Sequence, residues 1–195
     1  PLSDEHRQVA TGQFERAQEV RATGNSDYAL RLLFSCCKLD PANILYRQTL
    51  REVERAVTEQ KRTGWLSSLG ALASRTRLKS AKRARDHRKV LEYGEEVLGR
   101  SPRDVGVPLD MAEAADELGL LALAVWLLEQ AWREGPPDAR VYRALARLYE
   151  RQQRYPQAIA LWEQVRKADP SDPEAPRKIN DLAASDTIVR GRYEA

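Results

Sequence analysis

Three prolines recur in this sequence at a constant interval of 34 residues, at Pro102, Pro136 and Pro170. A fixed interval of roughly 20 to 50 residues is typical of chains that stack one supersecondary unit several times. Proline cannot continue an α-helix, so each of these prolines marks the end of a helix. The interval therefore predicts an array of similar helical units, each of which buries its apolar face only against its neighbours.

The repeated unit is clearest in the last frame, residues 139–170, which reads ARVYRALARLYERQQRYPQAIALWEQVRKADP. Two segments of this frame carry apolar residues at the three- and four-residue spacing of an amphipathic helix. They are Tyr142, Leu145, Ala146 and Tyr149, followed by Ala158, Leu161, Trp162 and Val165. A turn around Gln153 separates the segments. The frame therefore predicts two antiparallel helices, with the small Ala146 and Ala158 where they approach most closely.

The order of an aromatic residue, Leu-Ala, Tyr, Ala, an aromatic residue and Asp-Pro in this frame resembles the tetratricopeptide repeat. The resemblance implies an all-α fold, an α-solenoid of stacked antiparallel helix pairs with a concave and a convex surface. In proteins of that family the first helix of each pair lines the concave groove, which holds an extended peptide or a short helix of a partner. We therefore expect the function of this chain to lie in such a groove.

The whole chain can be divided by the same pattern. The predicted divisions are 1–41, 42–70, 71–104, 105–138, 139–172 and 173–195. The first is a repeat with an N-terminal leader, and the second is an extra helix, from about Ala42 to Lys61, with a linker. The third is a divergent basic repeat, and the fourth and fifth are regular repeats. The last is a capping helix that gives way to a tail beyond Ser185.

Positive charge is concentrated in one part of the chain. Residues 61–89 contain ten Lys or Arg and one acid, Asp86, so this window carries +9 and the rest of the chain −6. Two sets of cations at helical spacing occupy comparable faces of two repeats: Arg75, Lys79 and Lys82, and Arg140, Arg143 and Arg147. The resemblance turns these faces toward the groove. It predicts a scaffold or adaptor that binds an acidic or amphipathic peptide segment of a partner protein.

Some members of the family hold a partner's C-terminal carboxylates with such cations and with asparagines of adjacent repeats. This chain has Lys79 and Arg147 where a neutral amide would stand, so acidic peptides in general are the expected ligands. Reversing Arg143 and Arg147 to Glu is then expected to abolish capture and leave the melting temperature nearly unchanged.

The basic window is also compatible with roles that do not involve a peptide. Charge runs are commonly a solvated helix face. A segment of +9 also attracts nucleic acid or another polyanion, although only Trp65 and Tyr93 lie near it for base stacking. A third alternative is a membrane-surface contact by Trp65, the neighbouring leucines and the adjacent cations.

The sequence predicts no enzyme, cofactor or metal site. The two histidines, His6 and His87, stand in a terminal segment and in a turn, far apart in the chain. The adjacent Cys36 and Cys37 are spaced too closely for an ordinary disulfide or a metal knuckle, and Cys36 occupies a position that other repeats fill with small apolar residues. Cys37 is a candidate reactive thiol only if it is exposed.

The longest apolar run, Leu120 to Leu128, is shorter than the roughly 20 residues that a membrane-spanning helix requires. It predicts a buried central helix, with surface exposure of Trp126 or Trp132 as the alternative. No leader of charged, apolar and small residues stands at the N-terminus of the sequence. Together with the unpaired cysteines, this predicts a cytoplasmic protein.

Overall fold

The structure, a computed structural model, describes residues 4–60 and 67–193, which form ten α-helices and no strand. The helices are α1 (Asp4–Ala22), α2 (Ser26–Leu39), α3 (Ile44–Gln60), α4 (Ser67–Arg83), α5 (His87–Leu98), α6 (Gly106–Glu117), α7 (Leu121–Glu134), α8 (Ala139–Arg151), α9 (Tyr155–Ala168) and α10 (Glu174–Tyr193). The predicted all-α fold of helix pairs is confirmed.

The turns inside the helix pairs share one backbone feature, a residue with a positive φ angle. Among the described residues, positive φ angles occur at Gly24, Arg85, Gly119 and Gln153, with values of 83°, 52°, 74° and 57°. The last three are 34 residues apart, the same interval as the prolines. In each case the N–H of the following residue bonds a carbonyl five residues back, as Asp86 does to Ala81 at 3.0 Å. This left-handed residue ends the first helix of each pair and reverses the chain.

Side-chain caps begin several of the helices. The side-chain oxygen of Asn25 accepts the N–H of Tyr28 at 3.2 Å, and Asp86 and Asp138 do the same at the starts of α5 and α8. Such caps satisfy backbone donors that the first turn of a helix leaves without a partner. Local residues therefore mark both where the first helix of a pair ends and, at Asn25 and Asp86, where the second helix begins.

Contacts group the chain into two compact units, Pro1–Pro102 with Ala114–Leu123, and Arg103–Glu113 with Ala124–Ala195. In the first unit α1 packs on α2, α2 packs on α3 and α5, and α4 packs on α5. Its core between α1, α2 and α3 contains Ala10, Ala17, Leu33, Leu50 and Val53, none more than 2% exposed. The alanines let α1 lie close to α2, and fully burying each leucine contributes about 2 kcal/mol.

A buried charge cluster joins α3 to α5 in the same unit. The guanidinium groups of Arg47 and Arg51 donate to the two carboxylate oxygens of Glu95, and Arg51 also donates to Glu54 at 2.8 Å. Arg47 and Glu95 are each 1% exposed. Buried ions require partners of opposite charge. The α3 and α5 backbones are therefore held together by long charged side chains.

In the second unit α9 packs on both α8 and α10. Ala146 and Ala158 are fully buried, as the frame from residue 139 predicts. Trp162 is also buried, and its indole N–H donates to Glu150 at 2.5 Å. Glu150 accepts a second hydrogen bond, at 2.6 Å, from the ammonium of Lys178 on α10. This carboxylate therefore links the last three helices.

Two expectations from the sequence need correction. The segment beyond Ser185, expected as a tail, continues α10 to Tyr193. The hydroxyls of Ser185 and Thr187 donate to carbonyls four residues back, both at 2.9 Å, so these polar residues are compatible with the helix. The linker expected in the division 42–70 is helical from Ser67, while residues 61–66, which include Trp65, lie outside the described residues.

The apolar run before Trp132 behaves largely as predicted. Residues Leu123 to Leu128 are all buried, including Trp126 at 9% exposure. Trp132 is 43% exposed, so the surface alternative holds for that tryptophan. Across residues 4–60 and 67–193, none of the helices combines the length and the apolar character needed to cross a membrane.

Candidate functional site

Three of the predicted binding cations lie on α4, in the first unit. Arg75, Lys79 and Lys82 follow one helical face, with Lys79 and Lys82 exposed and Arg75 half-buried. Next to them, Leu78 and Ala81 are buried, with exposed fractions of 4% and 5%. The buried row sets the rotation of α4 about its axis. That rotation keeps the cations beside the packed surface, where a ligand can reach them.

Further cations surround this row at the turn into α5. Arg83, Arg85 and Arg88 are exposed, and with the predicted three they form what we call the α4 basic surface: Arg75, Lys79, Lys82, Arg83, Arg85 and Arg88. The carboxylate of Asp86, the acid of this region, accepts a hydrogen bond from the backbone N–H of Lys89 at 3.1 Å. This hydrogen bond lowers the pKa of Asp86. Asp86 also pairs with the Lys89 ammonium at 3.2 Å. The surface is therefore strongly positive.

Arg77 is engaged in the packing of α4 on α5 instead. Its guanidinium pairs with Glu96 at 3.4 Å and lies 5.9 Å from the centre of the Tyr93 ring. A cation over an aromatic face is a favourable contact. Because Tyr93 is half-buried and holds Arg77, its ring is occupied within the unit.

The other three predicted cations lie on α8, in the second unit, and each is paired with an acid. Arg140 pairs with Asp138 at 2.7 Å, and Arg147 pairs with Glu174 at 2.8 Å. Arg143 donates to Asp172 and lies 3.7 Å from Glu174. The structure thus brings these three arginines together along α8, opposite acids at the caps of α8 and α10.

Arg143 differs from its neighbours in what its partner does. Asp172 accepts the backbone N–H groups of Glu174 and Ala175 at 2.8 and 2.9 Å, so it caps α10. The bond from Ala175 and the nearby Arg143 lower the pKa of Asp172. The Arg143 side chain is 26% exposed, compared with 65% for Arg140 and 55% for Arg147. Arg143 therefore stabilises the junction between α9 and α10.

The cysteines have no exposed reactive group. Cys36 is fully buried, as predicted, and its Sγ donates to the Ala10 carbonyl at 3.3 Å. Cys37 is 5% exposed. Burial raises the pKa of Cys36 to about 11 and that of Cys37 to about 12, so both are thiols at neutral pH. Within the described part of the chain, no three His, Cys, Asp or Glu side chains gather where they could hold a metal ion.

Sequence reasoning missed the acids that meet the α8 arginines. Neither Asp172 nor Glu174 was predicted to meet an arginine. The only signal was their place at the start of the helix that follows the α8–α9 pair, where Asp172 and Glu174 meet Arg143 and Arg147. The buried cluster of Arg47, Arg51 and Glu95 had no sequence signal, since charged residues are usually exposed.

The sequence profile of the tetratricopeptide repeat family matches residues 119–177, which include all of α8 and α9. No curated protein matches the chain's sequence. The segment 119–177 is therefore similar in sequence to the tetratricopeptide repeat, and for the rest of the chain the similarity is one of fold.

Several solved structures share the fold. The TPR domain of P58(IPK) matches with a TM-score of 0.60 at 14% identity, over 95% of this chain and 58% of that one, so the chain spans little more than half its length. The first TPR of Spaghetti (RPAP3), bound to the HSP90 peptide SRMEEVD, matches with a TM-score of 0.52 at 16% identity, over 59% of this chain and 91% of that one. The TPR2AB domain of yeast Sti1 in its pHSP90 complex matches with a TM-score of 0.50 at 16% identity, over 91% of this chain and 69% of that one.

Proposed function

We propose that this chain is a protein–protein interaction scaffold that binds an acidic peptide segment of a partner protein, with the α4 basic surface as its main contact. The observation that carries the proposal is the exposed row of Lys79 and Lys82 beside Arg75. Within residues 4–60 and 67–193, Lys79 makes no hydrogen bond or ion pair. Its ammonium can therefore meet a ligand carboxylate without first losing a partner.

The α8 arginines are assigned different parts in this proposal. Arg140 and Arg147 are more than half exposed. Ion pairs at such exposure are worth about 1 kcal/mol or less. Both arginines can exchange their intramolecular acids for acids of a partner. Arg143 is the least available of the three α8 arginines, because releasing Asp172 would also weaken the cap of α10.

A structural relative lends support. In the structure of the first TPR of Spaghetti (RPAP3), the bound HSP90 peptide SRMEEVD carries three acids and one base. A helix-pair array of this fold is thus able to hold a short acidic peptide. We propose the same class of ligand here, without assigning the same partner.

Nucleic acid is the second candidate, because the α4 basic surface would attract any polyanion. This alternative is weakened by the small number of aromatic side chains near the basic window. Single-stranded nucleic acids bind largely by stacking bases on aromatic side chains. Tyr93 is occupied by Arg77, which removes one of the two aromatic residues near the basic window.

Fluorescence anisotropy with a labelled peptide SRMEEVD and its charge-reversed form SRMKKVK tests the proposal. We expect the acidic peptide to bind about tenfold more tightly, a difference of about 1.4 kcal/mol. Reversing Lys79 and Lys82 to Glu should weaken its binding about tenfold, because two attractions become repulsions. Lys167→Glu, an exposed charge reversal on α9, is the matched control and should change the Kd less than about twofold.

The same titration with random single-stranded and duplex oligonucleotides at two salt concentrations separates the two candidates. Tight, salt-dependent oligonucleotide binding with no preference between the two peptides would reject peptide recognition and support the nucleic-acid alternative.

A further inference from the structure

The α3 helix creates an irregularity in the first unit. It packs against α2, but it reaches α5 through Arg47, Arg51 and Glu95 rather than through small apolar residues. Long charged side chains hold two helices farther apart than alanines do. A cleft of about 560 Å³ lies beyond this cluster, lined by residues of α2, of the C-terminal half of α3 and of the C-terminal part of α5.

One side of the cleft is apolar. Leu30 and Phe34 from α2 and Val57 from α3 line it, and each is half-buried. Lys38 and Thr58, which also line the cleft, are exposed and form part of its rim. A volume of this size accommodates a large side chain and its neighbour. Because the rim opens to solvent, those side chains can enter while the backbone that carries them stays outside.

Three carboxylates, Glu54, Glu92 and Glu96, line the same cleft. Glu92 accepts the ammonium of Lys38 at 3.0 Å, and the Lys38 side chain is 63% exposed. Glu96 accepts Arg77 at 3.4 Å, and the Arg77 side chain is 54% exposed. Pairs this exposed contribute little, so a ligand cation can replace Lys38 or Arg77 at a low free-energy cost.

Glu54 is the most deeply buried of these three carboxylates. Its Oε2 accepts Arg51, while its buried Oε1 has no hydrogen-bond partner among the described groups. The Glu54 side chain is 11% exposed, and burial raises its pKa. This Oε1 is shielded from solvent beside Gly99, so Glu54 adds negative charge to the cleft lining, and the more exposed carboxylates of Glu92 and Glu96 are the ones that a ligand cation reaches. Arg100 also lines the cleft, and it donates to the Ser74 hydroxyl at 2.8 Å and to the Glu96 carbonyl at 3.2 Å.

We infer that this cleft docks a segment of a partner protein in which a large apolar side chain stands next to a lysine or arginine. The apolar side chain packs on Leu30, Phe34 and Val57, and the cation lies among Glu54, Glu92 and Glu96. The cleft is a second interaction surface, and its charge preference is opposite to that of the α4 basic surface. It depends on none of the cations proposed to hold the acidic segment.

The test uses two dipeptide probes, N-acetyl-Phe-Lys-amide and N-acetyl-Phe-Glu-amide, added to the full chain with labelled leucine and valine methyl groups. NMR shifts of Leu30 and Val57 report occupancy of the cleft. We expect saturable shifts with the lysine probe and a Kd at least about fivefold higher with the glutamate probe. Equal affinities, or shifts spread over methyl groups of both units, would overturn the proposal.

Variants sharpen the test. Ser35→Leu adds bulk to the cleft lining and should remove the saturable shift of Val57. If that variant does not fold, Val57→Ala should raise the Kd of the lysine probe severalfold, as followed on Leu30.

The carboxylates are tested separately. Glu92→Gln should reduce the ratio between the Kd values of the two probes, whereas Glu52→Gln, which changes an exposed acid of α3, should leave that ratio unchanged. Lys79→Glu should also leave the ratio of the two Kd values unchanged, which separates this proposal from the one on the α4 basic surface.

A titration of the protein alone tests for self-association. Shifts of Leu30 and Val57 that depend on protein concentration without a probe would mean that a second copy occupies the cleft, and would reject a partner segment.

Discussion

The guanidinium of Arg143 donates to one carboxylate oxygen of Asp172, while the other oxygen of Asp172 accepts two backbone N–H groups at the start of α10. A residue expected from the sequence to contact a ligand is therefore joined to a helix cap. This relationship alters the expectation for the paired reversal of Arg143 and Arg147.

Arg143→Glu and Arg147→Glu should have different effects on folding. The first places a carboxylate against Asp172 and Glu174 at a site that is mostly buried, so we expect Tm to fall by about 5 °C. The second changes an exposed pair and should shift Tm by about 1 °C or less. Thermal unfolding followed by circular dichroism measures both, and equal shifts would contradict the structural assignment of Arg143.

The cap at Asp172 also predicts a dependence of stability on pH. The pKa of Asp172 is lowered by the N–H of Ala175 and by Arg143. A carboxyl with a lower pKa in the folded state stabilises the fold above its unfolded pKa of about 4, and that contribution disappears as the pH falls through the folded value. Asp172→Asn keeps a capping oxygen but does not titrate. We expect urea midpoints measured between about pH 6 and pH 2 to fall less steeply for this variant, and parallel curves would refute the role of Asp172.

Two glycines, one in a turn and one inside a helix, allow a matched pair of substitutions. Gly119 has a φ of 74°, whereas Gly12 lies inside α1, and a Cβ at either position would meet no atom within 4 Å. Gly119→Ala should therefore destabilise the fold by about 1 kcal/mol, because only the backbone conformation opposes it. Gly12→Ala should stabilise the fold by up to about 1 kcal/mol through helix propensity. Urea unfolding measures both, and effects of the same sign would be inconsistent with the turn geometry.

Removing Glu95 should be severe. Glu95→Ala leaves Arg47 and Arg51 without their shared carboxylate, and breaking a buried pair in this way costs about 3–5 kcal/mol. Glu52→Ala, which removes an exposed partner of Arg21, should cost less than about 1 kcal/mol. Replacing Arg47 and Glu95 together by Leu, which leaves Arg51 paired with Glu54, should recover most of the loss. A single Glu95 variant as stable as the Glu52 variant would show that the cluster is not what joins α3 to α5.

The sequence predicted the features that depend on local backbone and packing requirements. The 34-residue interval appears in the prolines and again in the left-handed turn residues Arg85, Gly119 and Gln153, because each repeat needs the same helix end and the same reversal. Ala146 and Ala158 were predicted to be buried for a similar reason, since only small residues fit where the paired helices approach.

The parts that the sequence did not predict depend on which side chains meet across helices. Arg143 was correctly placed on α8, but its partner Asp172 belongs to the cap of α10, and helical spacing alone carries no information on that contact. Glu95 is buried because two arginines of α3 converge on it, although charged residues are usually exposed. The continuation of α10 beyond Ser185 was missed because hydroxyl residues, which favour caps and turns, here bond carbonyls of their own helix.

A charge exchange tests peptide recognition by the α4 basic surface most directly. The wild-type chain and the Lys79→Glu, Lys82→Glu variant are each titrated with SRMEEVD and with SRMKKVK at the same low salt concentration. We expect the wild-type chain to prefer the acidic peptide about tenfold and the variant to lose or reverse that preference while its melting temperature stays the same. An unchanged preference for the acidic peptide in the folded variant would contradict the proposed role of Lys79 and Lys82.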